Sequence, residues 1–501
     1  MKLKILGILL LVETIALLAT AGVAAYYNGR CAEDDMSSFL LSAAVTGVVG
    51  LVLYLVGHKR SGDAQLTIRD APLVVTISWL IFSAFGTMPF LLSGAVGNVT
   101  DAFFETMSGF STTGATIMEN IDKQPHGILF WRSILQWFGG LGIVVFSLAF
   151  LPSLSKNKRR TALFAAEATG VNVEKLSPTT QGTARVLWIV YMVLTALCAL
   201  AYWLGPMDLF DAVNHAMTTI ATGGFSTHQA SIGFFNSPYV ENMTILFMLL
   251  SGINFSMYYF AFVRNFNPIK RNEELRWYLM FVVFSLLVFV SLFYVSPTFE
   301  STTVEQKMLY PKGFADTVRT ALFHVAAMLS NTGFQAANFD YDAWGVIFVV
   351  PTVILLIIGG CAGSTSGGIK MVRVMILFKY IRNSIREFIH PMGIYSIKVS
   401  GKTIDDSAVR RVGAFMSLFL LLLMLNLIAL TASGMSFSDA GVTFLSCFSN
   451  YGPGSGVTGP SGSYAAVPTA AKWILCFDML VGRLEIFTVF VLFTKSFWKY
   501  R

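Results

Sequence analysis

Four short phrases rich in Ser, Thr, Asn and Gly interrupt sequence that is otherwise apolar. They read STTGAT at 111–116, ATGGFS at 221–226, SNTGFQ at 330–335 and SNYGPG at 449–454. Glycine permits positive φ and close approach of neighbouring backbones. Rings of backbone carbonyls can replace the water around a cation. Four such loops around one axis would therefore make a site for a dehydrated cation.

The four phrases share a common register. Their glycines, separated by 110, 109 and 119 residues, are Gly114, Gly224, Gly333 and Gly452. An alanine stands twelve residues before each glycine, at Ala102, Ala212, Ala321 and Ala440. Thirteen residues before stand Asp101, Asp211, Thr320 and Asp439. These residue types are preferred N-caps, so each phrase follows a predicted short helix. Four matches in register predict an internal repeat.

A helix of two to three turns is too short to cross a bilayer. Each predicted helix must therefore enter the membrane and stop, with its negative C-terminal end directed at the glycine loop. Irregular backbone at that depth is tolerated only where it is buried in protein or lines a watery cavity. A single phrase is explained equally well as a helix C-cap, whereas four in register favour an ion site.

The composition is that of a membrane protein. Of the 501 residues, 55% are hydrophobic and 13% charged, and the mean hydropathy is +0.65, whereas soluble domains carry about 25% charged residues. We expect about ten spans, beginning with two helices at 4–27 and 38–57, the first retained and not a signal peptide. Each phrase lies between two apolar segments, which are 73–95 and 128–151, 186–204 and 239–263, 277–295 and 343–381, and 412–432 and 470–494.

The sequence thus predicts an all-α polytopic membrane protein with four pseudo-symmetric helix–pore-loop–helix repeats around one central pore, preceded by two extra helices. The expected units are 1–70 for the two N-terminal helices, 71–155 for repeat 1, 183–270 for repeat 2, 274–390 for repeat 3 and 404–501 for repeat 4.

Charge indicates the orientation of the spans. With the amino terminus inside, 27 of the 35 Lys and Arg residues fall in predicted inner segments, which are 1–4, 58–71, 152–185, 264–276, 370–411 and 495–501. This positive-inside asymmetry predicts a cytoplasmic N-terminus and places the phrases toward the outer side. It also accounts for the net charge of +7 without nucleic acid as a partner.

Segment 359–368 (GGCAGSTSGG) interrupts an apolar segment of repeat 3. Its five glycines, each costing a helix about 1 kcal/mol relative to alanine, predict a broken loop at membrane depth; the alternative is a small-residue packing patch between helices.

Arg483 lies midway in the last apolar segment and is a functional candidate by default; the alternative is an ion pair with Glu485 or Asp478. Lys370 is expected to be an interfacial anchor.

These residues resemble the Trk/Ktr/HKT superfamily of potassium transporters, in particular its bacterial TrkH-like pore subunits. The resemblance covers essentially the whole chain and is carried by the four phrases, by GGCAGSTSGG at 359–368 and by GRLEIFT at 482–488. It implies a potassium-selective, ion-conducting subunit in a bacterial cell (inner) membrane. Some plant members that favour sodium have serine at the first filter position, so Gly114 points to potassium. The loops depart from the regular filter of potassium channels, which implies looser selectivity.

The resemblance also implies roles for individual residues. The expected potassium filter comprises Thr112, Thr113, Gly114, Thr222, Gly223, Gly224, Asn331, Thr332, Gly333, Asn450, Tyr451 and Gly452. The expected gate comprises Gly359, Gly360, Gly363, Gly367 and Gly368, with Arg483 in the cavity beneath the filter. In repeat 2 the two adjacent glycines leave the register open, and the 13-residue spacing from Asp211 favours Gly224 as the equivalent residue.

Potassium is the expected transported ion, and no organic cofactor is expected on this chain. The implied partners are a second copy in a homodimer and a cytosolic TrkA-type nucleotide-binding regulatory subunit. The basic segments 156–160, 264–276 and 370–411 are candidate docking sites for this regulatory subunit, or simply determinants of topology.

An alternative function is a secondary potassium symporter coupled to H⁺ or Na⁺, for which Glu13 and Glu105 are the candidate coupling residues at membrane depth. An enzyme is not expected, because the six histidines are scattered without a catalytic pattern.

Overall fold

The computed structural model describes residues 2–31, 33–60, 70–142, 180–295, 313–336, 346–393, 395–459 and 462–499. The basic run 156–160 and the end of the first predicted repeat lie outside the described residues. The helices, in chain order, are α1 (Lys2–Cys31), α2 (Met36–Arg60), α3 (Asp70–Gly86), α4 (Met88–Leu92), α5 (Val99–Phe110), α6 (His126–Leu141), α7 (Thr180–Trp203), α8 (Leu209–Ile220), α9 (Pro238–Ser251), α10 (Phe255–Phe262), α11 (Asn267–Arg271), α12 (Glu273–Val295), α13 (Phe314–Leu329), α14 (Val349–Ile357), α15 (Met371–Ile389), α16 (Asp406–Ala432), α17 (Phe437–Ser449), α18 (Thr469–Leu484), α19 (Ile486–Phe490) and α20 (Lys495–Lys499).

The only strands in the described part of the chain form a short antiparallel hairpin of β1 (Lys398–Val399) and β2 (Lys402–Thr403). The predicted all-α fold class is confirmed.

Six helices in the described residues are long and apolar enough to cross a membrane. They are Lys2–Arg30, Met36–Lys59, Asp70–Leu92, Gly182–Trp203, Glu273–Val295 and Asp406–Ala432. A seventh span is possible if the bent pair Pro238–Ser251 and Phe255–Phe262, which meet at 95°, is taken as one. The predicted total of about ten spans stays a prediction, because this count covers the described residues alone and leaves out segments that are broken or that reach the limit of those residues.

Each break occurs at residues that leave helical geometry. In repeat 1, α6 stops before Gly142, which has a φ of 76°. In repeat 4, α18 and α19 are separated by Glu485 alone, whose φ of 65° is unusual for a residue with a side chain. In repeat 3, residues 358–370 separate α14 from α15. These breaks free backbone carbonyls near the centre of the molecule.

The short helices that precede the glycine phrases are α5, α8, α13 and α17, of 12, 12, 16 and 13 residues. We call them the pore helices. Their predicted N-caps are wrong: the caps are Asn98, Asp208, Gly313 and Ser436.

The prediction failed by one turn in three of the four repeats. Asp101, Asp211 and Asp439 each donate their backbone amide to the cap three residues earlier, at 2.8, 2.7 and 3.1 Å. The first turn of a helix favours acids as much as the cap itself does, so an aspartate marks the start only to within a turn. In repeat 3, Thr320 lies inside α13.

Aromatic packing fixes the first pore helix from behind. The ring of Phe110 lies 4.2 Å from those of both Trp79 and Phe82 on α3, and all three side chains are buried. Ion pairs join neighbouring repeats: Lys472 of α18 contacts Asp101 of α5 at 2.5 Å. Asp101 lies in the first turn of α5 and Phe110 is its last residue, so these contacts hold both ends of the first pore helix.

Candidate functional site

All four glycine phrases adopt the same backbone conformation. The second residue before each glycine is left-handed, with φ of 57° at Thr112, 54° at Thr222, 56° at Asn331 and 56° at Asn450. Each glycine then has positive φ as well: 81° at Gly114, 78° at Gly224, 77° at Gly333 and 105° at Gly452. A left-handed threonine is strained, and strain of this kind is concentrated at functional sites.

One hydrogen-bond pattern closes every pore helix. The amide of the residue before each glycine donates to a carbonyl five residues earlier. The pairs are Thr113 to Ser108, Gly223 to Thr218, Thr332 to Ala327 and Tyr451 to Ser446, at 2.8, 2.8, 2.9 and 2.9 Å. This is the Schellman arrangement, in which the left-handed residue ends the helix. The chain then leaves each pore helix in the same direction.

The four loops form a closed ring. A Cβ placed on Gly114 would lie 2.2 Å from the carbonyl oxygen of Gly223, and one on Gly224 would lie 2.0 Å from that of Thr332. Likewise, a Cβ on Gly333 would lie 1.9 Å from the oxygen of Tyr451, and one on Gly452 would lie 2.6 Å from that of Thr113. Each glycine thus contacts the loop of the next repeat, and the fourth contacts the first. The predicted filter residues are brought together around one axis.

The two adjacent glycines of repeat 2 have different roles. Gly224 has the positive φ and contacts the neighbouring loop, as the other three glycines do. Gly223 instead faces α6, where a Cβ would lie 2.3 Å from the carboxamide of Gln136. The backbone thus aligns Gly224 with Gly114, Gly333 and Gly452.

Side chains behind the ring brace the loops. Asn450 donates to the hydroxyl of Thr113 at 3.0 Å, which links the last loop to the first. The hydroxyl of Tyr464 donates to the carbonyl oxygen of Gly452 at 2.7 Å. Among the described residues no group of three or more His, Cys, Asp or Glu could hold a metal ion.

A buried ion pair supports the loops of repeats 1 and 2. Arg132 of α6 contacts Glu105 of α5 at 2.8 Å, and both side chains are fully enclosed. Arg132 also donates to the carbonyl oxygen of Ser226 at 3.0 Å, while Glu105 accepts from the amide of Ile117 at 2.9 Å. Glu105 is therefore engaged in structure. Glu13, the other candidate coupling residue, is buried in α1 against Gly86 of α3.

A histidine joins two loops on the side of the molecule where the pore helices begin. His228 lies between Asp122 and Asp211, with each ring nitrogen 3.0 Å from a carboxylate oxygen. Burial lowers the pKa of His228, but the hydrogen bonds and charges of Asp211 and Asp122 outweigh that effect and raise it above its ordinary value. The imidazole thus bridges repeat 1 to repeat 2.

The glycine-rich loop between α14 and α15 is closed at its base. Ile358 and Ile369 form a parallel bridge, the amide of Gly359 donates to Ile369 at 2.9 Å, and that of Met371 donates to Gly360 at 3.0 Å. The carboxylate of Glu274 on α12 accepts from the amides of Ala362 and Val372, at 2.7 and 3.1 Å. The loop therefore departs from and returns to one fixed point.

The tip of this loop lies against the C-terminal ends of the pore helices. Thr365 donates its hydroxyl to the carbonyl oxygen of Ile220 at 2.8 Å, and Ser366 donates to the side-chain oxygen of Asn331 at 3.0 Å. A Cβ on Gly367 would lie 2.0 Å from the carbonyl oxygen of Ser449. One loop of repeat 3 thus contacts repeats 2, 3 and 4 on one side of the ring.

Arg483 links the same loop to repeat 1. Its guanidinium donates to the carbonyl oxygen of Thr365 at 2.7 Å and to those of Gly139 and Gly140 at 2.7 and 2.6 Å. The suggested alternative, an ion pair with Glu485 or Asp478, is not what these contacts show: Glu485 pairs with Arg373 at 2.5 Å, and Asp478 accepts from Asn426 at 3.2 Å.

Lys370 does not lie at a membrane interface as predicted. It is 2% exposed, and its ammonium group donates to the carbonyl oxygen of Ser366 within the same loop. Together with Arg373, Arg483 and Glu485 it lines a small cavity next to the loop. The loop turns back on itself, which brings a residue from its far end into the interior.

Four residues that contact these loops were missed by sequence reasoning: Arg132, Gln136, Glu274 and Tyr464. Arg132 and Gln136 carried a usable signal, because they are polar residues one turn apart in the apolar sequence HGILFWRSILQWFGGL. A polar residue at membrane depth is a functional candidate by default. Glu274 and Tyr464 gave no such signal, since each stands at the edge of an apolar segment.

Comparison with known proteins agrees with this architecture. The family described as "TrkH: Cation transport protein" matches residues 37–500. The chain is 34% identical to the "Trk system potassium uptake protein TrkH" of Escherichia coli (strain K12), over 99% of this chain and 98% of that protein. It is also 34% identical to the protein of that name from Halomonas elongata, over 100% and 99%.

A solved structure is similar over nearly the whole chain. The crystal structure of the potassium transporter TrkH from Vibrio parahaemolyticus superimposes with a TM-score of 0.85 and 32% sequence identity, covering 99% of both chains. The family match, the full-length relatives and the shared fold lead to one conclusion. This chain belongs to the TrkH family of cation transport proteins.

Proposed function

We propose that this chain is the potassium-conducting subunit of a bacterial potassium uptake system. The observation that carries the proposal is the ring in which each glycine contacts the carbonyl of the next repeat's loop. The relatives from Escherichia coli and Halomonas elongata are named potassium uptake proteins, and the superimposed Vibrio parahaemolyticus protein is named a potassium transporter. Potassium is the transported ion, and the chain acts as a transporter and not as an enzyme.

In this proposal the four loops form the selectivity filter. The filter residues are Thr112, Thr113, Gly114, Thr222, Gly223, Gly224, Asn331, Thr332, Gly333, Asn450, Tyr451 and Gly452. Each loop follows the negative end of a pore helix, which favours a cation. The carbonyl oxygens then replace the hydration shell of potassium as it enters. Selection depends on how firmly these oxygens are held at their spacing.

We further propose that residues 359–368, hereafter the gate loop, close the pore. The gate residues are Gly359, Gly360, Gly363, Gly367, Gly368 and Arg483. The support is that the loop tip contacts the ends of the pore helices while its base is fixed. Arg483 places a positive charge next to the path of the ion and holds the loop by the carbonyl of Thr365. Displacement of the loop would open the path.

The proposed setting is the bacterial inner membrane, with a cytoplasmic N-terminus supported by the distribution of Lys and Arg. Relatives named as members of a "Trk system" support further components. We propose a homodimer of this chain and a cytosolic TrkA-type nucleotide-binding subunit that regulates the gate loop.

The rival function is a symporter that couples potassium to H⁺ or Na⁺. It requires a coupling site near the ion path, yet Glu105 is held by Arg132 and Glu13 is buried between α1 and α3. Protein reconstituted in liposomes separates the two functions. Potassium flux that follows the potassium gradient alone, without movement of protons or sodium, supports a channel, whereas stoichiometric proton or sodium movement supports the symporter.

The proposed function is tested by expression in a bacterium that lacks its own potassium uptake systems. Growth on low potassium should be restored, more strongly when a TrkA-type subunit is co-expressed. A chain that reaches the membrane but restores no growth under either condition would refute the proposal.

A further inference from the structure

Gln136 holds the second filter loop on both sides of its glycine. The Nε2 of its carboxamide donates to the carbonyl oxygen of Gly223 at 2.6 Å, and its Oε1 accepts from the amide of Phe225 at 3.1 Å. The side chain is completely buried. It therefore pairs with the loop as a neighbouring strand would, before and after Gly224.

The helix that carries Gln136 holds the same loop at a third point. Arg132, one turn earlier on α6, donates to the carbonyl oxygen of Ser226 at 3.0 Å. Its guanidinium also lies 4.0 Å from the ring of Phe225. The face of α6 that bears these two polar side chains thus holds residues 223–226 at three backbone atoms.

The equivalent position in repeat 4 is apolar. A Cβ on Gly139 would lie 1.9 Å from the carbonyl oxygen of Phe110, and one on Gly482 would lie 1.9 Å from that of Phe448. Since Gly139 and Gly482 are structurally equivalent, the residue three positions before each is too, which aligns Gln136 with Met479. A methionine side chain has no N–H group to donate.

The second loop is consequently unlike the other three. The carbonyls of Thr113, Thr332 and Tyr451 correspond to that of Gly223, and no described residue donates a hydrogen bond to any of them. Among the described residues, Gly223 alone has its oxygen held by a side chain at this level of the ring. The absence of a side chain at Gly223 is itself required, because a Cβ would overlap the carboxamide of Gln136.

A carbonyl held in this way resists movement toward the axis to contact a smaller ion. Sodium is smaller than potassium, and a flexible filter can shrink around it, whereas a fixed carbonyl keeps the wider spacing. We propose that Gln136 is a positioning residue that sets the preference of the pore for potassium over sodium by fixing the Gly223 carbonyl. This inference rests on the proposed function and names a residue outside the filter phrases.

The test uses the full-length protein in liposomes, with potassium and sodium fluxes measured in the same preparation. Gln136→Met has a similar volume, removes the hydrogen bond and installs the repeat 4 residue. The loss of one hydrogen bond predicts a decrease of about fivefold in the potassium-to-sodium flux ratio. Met479→Leu is the matched control at the equivalent position: it changes only the apolar side chain and keeps the backbone carbonyl that accepts from Asn450 at 3.1 Å, so it should keep the wild-type ratio.

Gly223→Ala breaks the same contact from the loop side and serves if Gln136→Met does not fold. Gly223→Ala should also lower the potassium-to-sodium flux ratio. The double variant with Gln136→Met should lower this ratio by less than the product of the two single effects, because the two substitutions remove the same interaction. Equal loss of both fluxes with an unchanged ratio in these variants would overturn the inference. A wild-type protein that conducts no potassium would instead refute the proposed function.

Discussion

Arg483 reaches the carbonyl oxygen of Thr365 across 2.7 Å and so holds the tip of the gate loop against the C-terminal end of α6 in repeat 1. A hydrogen bond from a charged donor contributes about 1.5–3 kcal/mol. We therefore expect Arg483→Ala to shift the loop toward displaced positions and to raise potassium flux by about tenfold or more in liposomes without a regulatory subunit.

The matched control for that measurement is Arg382→Ala, which removes an exposed arginine of α15. Its flux should equal that of the wild type. If Arg483→Ala is monodisperse and conducts no faster than the wild type, the loop is not held closed by this contact.

Substitution of a ring glycine should abolish selective uptake. Gly333 has positive φ, and a Cβ there would lie 1.9 Å from the carbonyl oxygen of Tyr451. Gly333→Ala must therefore displace the fourth loop, at a conformational cost of about 1–2 kcal/mol in addition to the clash. Potassium uptake in deficient cells should fall at least tenfold, with loss of discrimination against sodium in whatever flux remains.

Gly97→Ala provides the comparison, because a Cβ at Gly97 would meet nothing within 4 Å. Equal uptake by the two alanine variants at equal membrane abundance would show that the ring is not part of the ion path.

Glu274 should act as a clamp on the gate loop, because one carboxylate oxygen accepts from the amides of both Ala362 and Val372. Glu274→Ala leaves two buried N–H groups unpaired, at about 1–3 kcal/mol each, so we expect a lower melting temperature and increased basal flux. Glu274→Gln keeps an acceptor oxygen and should lie much closer to the wild type. Identical behaviour of the two variants, with exposed Glu387→Ala as control, would argue against the clamp.

The link between His228 and its two aspartates should make stability depend on pH. The pKa of His228 is raised by Asp211 and Asp122 in spite of partial burial. Protonation therefore contributes stability that is fully present below the ordinary histidine pKa of about 6.5 and is lost as pH rises through the higher folded-state pKa. We expect the melting temperature of the wild type in detergent to fall between pH 5.5 and pH 8.5 by about 1 °C more than that of His228→Gln falls over the same range.

That comparison isolates one group, because the other titrating residues are common to both proteins. The bridge makes no measurable contribution if the melting temperatures of wild type and variant run parallel across this range.

Much of the fold could be predicted because it follows from local physics. Apolar length predicted spans, and a helix too short to cross the membrane had to end in a loop held by protein. The common left-handed turn at Thr112, Thr222, Asn331 and Asn450 gives that loop its direction. The breaks in the segments after each phrase were harder to foresee, since Glu485 has positive φ although nothing in its residue type requires it.

The supporting residues of the site depend on packing between distant parts of the chain. Gln136 bonds to a carbonyl 87 residues away, and Glu274 bonds to amides 88 and 98 residues away. No pattern within one helix specifies which loop such a side chain will reach. Alignment of the repeats would have helped to identify Gln136, because its equivalence to Met479 becomes visible only when Gly139 and Gly482 are aligned.

The bridge between Ile358 and Ile369 constrains how a pore of this kind can open. Because the two ends of the loop are joined by this bridge, the loop can move as a hinged flap, and α14 and α15 need not unwind or separate. Under the proposed gating, opening moves about ten residues and breaks the contacts of their tip with the pore helices and with Arg483, so a force on α15 would be transmitted to the tip without reshaping the ring.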